Sequence, residues 1–180
     1  MMSKKSIVTS LSVVMCLCLS NNAQSVEDKC QYEIYQRFLN VEKSGHHLAK
    51  KEYSPELKIR MHDYEIMCPR QIAVDLNGDQ KRDWAGIVVK DGKYSLIAYL
   101  SKPDNHYLVQ TITDYSYFPE NTHINYMSSY EVSLLTKNKS LRHMAKFALV
   151  INDIGKPSQV YIWDGEQLIN VHTFEGNFRY

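Results

Sequence analysis

The sequence predicts an α+β, mainly β protein: an antiparallel meander sheet, an N-terminal amphipathic helix and one disulfide. Three observations carry that expectation. From residue 70 onward, short apolar and β-branched runs alternate with turn signals such as Asp91-Gly92. Ahead of them Cys30, Ile34, Phe38 and Val41 recur at helical spacing, so 27–40 reads as a helix. Two cysteines, Cys30 and Cys68, remain once the leader is set aside.

The leader is "MMSKK", the apolar run "IVTSLSVVMCLCL" and then "SNNAQS". A basic start, an apolar core too short to span a bilayer and the small pair Ala23 and Ser25 are the parts of a secretory signal peptide over 1–25. Cleavage is expected near Ser25 or Ala23. Lipid attachment at Cys16 or Cys18 is the variant, but Met15 and Leu17 precede them where that chemistry needs a small residue.

The remaining 26–180 suffices for one domain with a core, divided into a helical or irregular segment, 26–69, and an antiparallel β domain, 70–180. No second apolar run is long enough to cross a membrane, so a periplasmic or secreted monomer is expected. Losing Lys4 and Lys5 leaves 19 basic residues against 20 acidic ones. That balance argues against nucleic acid or an anionic membrane as partner. Outside the cytoplasm Cys30 and Cys68 are expected to pair, closing a loop of about 39 residues worth ~4 kcal/mol in the chain-entropy account. No CxxC spacing favours a reactive thiol pair instead.

"SGHH" ends the helix. In "SPELKIRMHDYEIM", Ser54 as N-cap and Pro55 at the first helical position favour a helix, while Leu57, Ile59 and Met61 alternate like a strand; both readings stand. Strands are then expected at "QIAVD", "WAGIVVK", "KYSLIAYL", "YLVQTIT", "AKFALVI", "SQVYIW" and "QLINVHTF", the last two joined by a tight turn at Asp164-Gly165. Residues 84–89 and 145–151 are apolar at both parities, as strands covered on two faces are.

Between the first two strands lies "DLNGDQKRDW". Asp75, Asn77, Asp79 and Asp83 hold positions one, three, five and nine of a loop, with Gly78 at the bend. Calcium takes six to eight oxygens, and alternating side chains of a curled loop, the Lys81 carbonyl at position seven and Asp83 could converge on one ion. An all-oxygen set disfavours zinc and copper. It is no EF-hand, which needs glycine at position six and glutamate at twelve where Gln80 and Gly86 stand. The plainer alternative is a polar hairpin turn whose acids serve local hydrogen bonds or are neutralised by Lys81 and Arg82.

The stretch "DLNGDQKRDWAGIVV" resembles the calcium-binding unit of FG-GAP/VCBS-type, integrin-like repeats, whose loops read DxNGDGxxD before an apolar strand. With the hairpin "SQVYIWDGEQLINV" the chain is also similar to small secreted bacterial proteins that carry a single such loop. The resemblance spans about 70–174. It implies a structural calcium held by Asp75, Asn77, Asp79, the Lys81 carbonyl and Asp83, and no catalysis. Gln80 replaces the family's glycine after the third ligand, and a single loop without repeats cannot make a propeller.

No G-x-S-x-G elbow, H-E-x-x-H pair or phosphate-cradling glycine loop is present, and the only histidine cluster is His46-His47. In "DYSYFPENTHINYMSSY", Tyr115, Tyr117, Phe118, Tyr126 and Tyr130 stand among Ser, Asn and Thr, the composition of recognition loops; equally, they could cover a sheet face. The function expected is a calcium-stabilised, non-catalytic binding module, such as an inhibitor or immunity protein with a protein partner in the cell envelope. The alternative is an envelope hydrolase whose site assembles only in the fold.

Overall fold

A computed structural model describes residues 44–174 apart from 50, 64, 65, 67, 104, 105, 136, 138 and 141–145. The signal segment, the helix expected over 27–40 and Cys30 lie outside the described residues. Among the described residues nine strands and two α-helices follow one another: β1 (His47–Leu48), α1 (Pro55–Asp63), β2 (Gln71–Ile72), β3 (Trp84–Lys90), β4 (Lys93–Ser101), β5 (Tyr107–Tyr115), β6 (Thr122–Ser128), α2 (Ser129–Leu135), β7 (Phe147–Asp153), β8 (Ser158–Trp163) and β9 (Leu168–Phe174). Among the described residues no helix is long and apolar enough to cross a membrane.

The chain is mainly β and antiparallel, as expected, but the single meander is corrected to two. β3, β4 and β5 run consecutively in one sheet, with the short β1 and β2 both on β3, while β6 to β9 form a second sheet in sequence order. Ala85, Ile87, Leu96, Ala98 and Leu100 of the first sheet share one buried cluster with Ile124, Leu149, Ile151 and Leu168 of the second. Gln110 clips the layers together: its side-chain amide donates to the Leu168 carbonyl at 2.8 Å and accepts the Leu168 N–H at 2.7 Å.

Apolar residues at both parities find cover on both faces. Opposite the shared core, Trp84, Val88, Ile97 and Tyr99 are buried on the first sheet. On the second sheet, Ala148, Val150, Val160 and Ile162 pack with Val132 of α2. Gly86 is dictated by its neighbour two residues back, because a Cβ there would lie 2.3 Å from Trp84 Cζ2. The indole itself is held by donating Nε1–H to Gln71 Oε1 at 3.0 Å.

The turn at Asp91-Gly92 joins Lys90 to its partner Lys93 with both φ positive, 50° and 77°, the two-residue mirror-image turn that suits twisted strands. Between Trp163 and Leu168 the chain spends four residues instead of the tight pair expected, because Asp164 Oδ1 accepts the N–H groups of both Glu166 and Gln167. The ambiguous segment is a helix. Ser54 Oγ accepts the Leu57 N–H at 3.1 Å, and of the alternating residues Leu57 is buried while Ile59 is exposed.

Candidate functional site

The acidic loop curls through its own side chains. Asp75 accepts the Gly78 N–H on Oδ1 (2.7 Å) and the Gln80 N–H on Oδ2 (3.0 Å), Asn77 Oδ1 accepts the Asp79 N–H, and Asp79 Oδ1 accepts the Lys81 N–H. Four successive amides are thereby satisfied by three side chains, Asn77 and Asp79 at the two-residue spacing of an Asx turn and Asp75 reaching three and five residues ahead. The bend needs positive φ at Gly78 (82°) and at Gln80 (66°). Gln80 thus adopts a left-handed backbone that glycine takes more readily.

Asp83 behaves differently. It is fully buried, and its Oδ2 accepts the N–H groups of Leu76 (2.7 Å) and Asn77 (3.0 Å) while its Oδ1 accepts the N–H (2.7 Å) and Oγ–H (2.8 Å) of Ser101. Four donors fill the four lone-pair positions of a carboxylate. Asp83, expected to complete an ion's shell, here staples both ends of the loop to the end of β4. Burial pushes its carboxyl above the ordinary range, opposed by the Ser101, Leu76 and Asn77 hydrogen bonds.

Ser101 is the residue sequence reasoning missed. Its Oγ lies between two carboxylates, 2.8 Å from Asp83 Oδ1 and 2.9 Å from Asp79 Oδ2, with one proton to offer the two, and its carbonyl accepts from Asn77 Nδ2 at 2.6 Å. The signal was present in the hairpin register. A two-residue turn at Asp91-Gly92 pairs Trp84 with Tyr99, so the chain just before Trp84 runs beside Ser101.

All donors facing the loop are oxygen, which fits a hard cation. Each oxygen of Asp75 and Asp79, and the amide oxygen of Asn77, keeps one lone pair beyond its single hydrogen bond. Among the described residues, no three His, Cys, Asp or Glu side chains are gathered closely enough to hold a metal by themselves. An ion in this loop therefore needs Asn77 and backbone carbonyls as well.

The five aromatic residues do not form one surface. Phe118 is 7 % exposed, edge-on to Tyr94 at 5.5 Å and under the Arg70 guanidinium at 4.6 Å. Tyr115 packs against the shared core, and burial, then the Asp153 charge, raises its phenol above the usual range. Tyr117 (77 % exposed), Tyr126 (46 %) and Tyr130 (55 %) face solvent. Tyr117 precedes β6 and Tyr130 follows it in α2, so the two belong to different segments on either side of that strand. Composition could not distinguish these, because strand parity and the path after β5 decide which ring turns inward.

His46 Nδ1 lies 2.7 Å from Ser44 Oγ while His47 is exposed on β1, so the pair does not act as a unit. Cys68 is described, whereas Cys30, its expected partner, lies outside the described residues. The two-layer antiparallel fold and its acidic loop define a class of β-rich protein without naming a relative. No known protein family matches the chain, and no curated protein or solved structure is significantly similar to it.

Proposed function

We propose that the chain is a periplasmic or secreted, non-catalytic binding module whose 75–83 loop is stabilised by calcium. The observation that carries this reading is the curl of the loop, in which Asp75, Asn77 and Asp79 fold over the loop's own amides and retain free lone pairs. These three residues and the Lys81 carbonyl would hold the ion, with Asp83 underpinning them. The positive charge would supply Asp79 with the partner it lacks when the single Ser101 hydroxyl proton is given to Asp83. Calcium thereby pins the start of β3 and the end of β4, a structural task.

The binding task belongs to a protein in the cell envelope, as for an inhibitor or immunity protein, met through exposed aromatics such as Tyr126 and Tyr130. Pairing of Cys30 with Cys68 fits the oxidising compartment that the leader implies. Thermal unfolding in calcium, magnesium or chelator tests the reading. With a Kd of about 10⁻⁴ M, 10 mM calcium adds about 2.7 kcal/mol, or about 5–10 °C for a domain of this size. The calcium increment should vanish in Asp79→Ala; an absent increment, or one that survives this substitution, overturns it.

A further inference from the structure

Beside the acidic loop opens a cleft of ≈ 460 Å³, bounded by Asn77 and Asp79 of the loop, the β4–β5 turn and the β8–β9 turn. Leu100 and Leu108 supply apolar lining, Trp163 an aromatic wall, and Asp79 and Glu166 carboxylates from two separate loops. Among the described residues the Glu166 carboxylate has no hydrogen bond or ion pair. Asp164, holding the turn that carries Glu166, stays ionised because the Gln167 and Glu166 N–H groups lower its pKa. Among the described residues Lys102 is the one cation in the lining, and the Lys81 ammonium lies 3.5 Å from the Lys102 carbonyl.

A cleft of this volume with a mixed polar and apolar lining holds a side-chain-sized ligand, and the sign of its charge selects which. Carboxylates beside an indole favour a cation that can stack on the ring and donate at its edges. A planar guanidinium does both, whereas an ammonium only offers charge. We infer that this cleft is a binding site for an arginine-like guanidinium, presented by a free small molecule or by an arginine side chain of a protein. Trp163 and Glu166 lie outside the acidic loop, while Asp79 is shared with the proposed calcium site, so the cleft is tested with calcium removed.

The test is a ¹H–¹⁵N titration of the full chain in chelator, following the two tryptophan indole resonances. Trp84, fully buried on the far face of the first sheet, serves as internal control. L-Argininamide should shift the Trp163 indole saturably, and its uncharged isostere L-citrullinamide should not. Glu166→Gln, at an exposed turn position, should weaken binding about tenfold or more without moving other resonances. Tighter binding of a capped Ala-Ala-Arg-Ala-Ala peptide than of argininamide marks a protein source, and the reverse order a free ligand. No saturable shift, an equal shift with citrullinamide, or binding of N-acetylglucosamine in place of argininamide would overturn the inference. Because calcium is absent throughout, failure here leaves the thermal test untouched.

Discussion

Replacing Asp83 by asparagine keeps the volume of a fully buried side chain while removing one acceptor oxygen and the negative charge, so the change tests hydrogen bonding and charge without a packing loss. If the amide oxygen faces Leu76 and Asn77, the new NH₂ confronts the Ser101 N–H, a donor against a donor; the reverse orientation strands two amides. A buried donor left unpaired costs about 1–3 kcal/mol, and the surviving bonds lose their charge assistance, about 1 kcal/mol each. Relief from burying a charge offsets part of this, because burial already raises the Asp83 carboxyl. The net expectation is a loss of about 3 kcal/mol, which lowers a urea midpoint by about 2 M at an m value near 1.5 kcal/mol/M. Tryptophan fluorescence follows the transition, since Trp84 is the adjacent residue. The same loss must appear in chelator and in calcium. A midpoint unchanged in chelator, with a deficit confined to calcium, would show that Asp83 is an ion ligand and refute its role as a staple.

Gly86→Ala places a methyl 2.3 Å from Trp84 Cζ2 and forces the indole off Gln71, so a destabilisation of about 3 kcal/mol is expected; a double-mutant cycle with Trp84→Phe should reveal strong coupling, and additivity would rule out the clash. His123 is buried and its pKa falls from 6.5 to about 4, chiefly through burial and then the Arg60 charge, with Asp153 opposing. The unfolded chain takes the proton first, so stability drops as pH falls from about 6.5 to about 4, by up to ~3 kcal/mol. The raised Asp83 carboxyl works in the opposite direction and returns part of this once pH enters the carboxylate range. Urea midpoints across that window should flatten in His123→Gln, and an identical slope would assign the effect elsewhere. Ser128 and Glu131 exchange hydrogen bonds at the start of α2, Glu131 Oε2 accepting the Ser128 N–H at 2.8 Å and Ser128 Oγ the Glu131 N–H at 3.2 Å. Ser128→Ala should therefore cost about 1 kcal/mol in thermal unfolding; an unchanged midpoint would mean that α2 does not depend on this cap.

Much of this molecule was legible in adjacent residues. Strands at 84–90 and 147–153 announce themselves by apolar runs, and Asp91-Gly92 specifies its turn because both positions need positive φ. Even α2 carried a readable signal, the Ser-Ser-Tyr-Glu that forms its capping box, though an aromatic-rich segment masked it. Ser54-Pro55 outweighed the alternation of Leu57, Ile59 and Met61 because a cap satisfies amides that an isolated strand would leave bare.

The sequence by itself determined the β-rich class, most strand positions and an acidic loop with an oxygen donor set, because periodicity and turn chemistry are written in near neighbours. Only the tertiary structure decided that two sheets share one core, that Phe118 turns inward, and that Asp83 holds four donors. Which lone pairs of a carboxylate remain open depends on donors such as Ser101, 18 residues away along the chain, and on the register that carries them there.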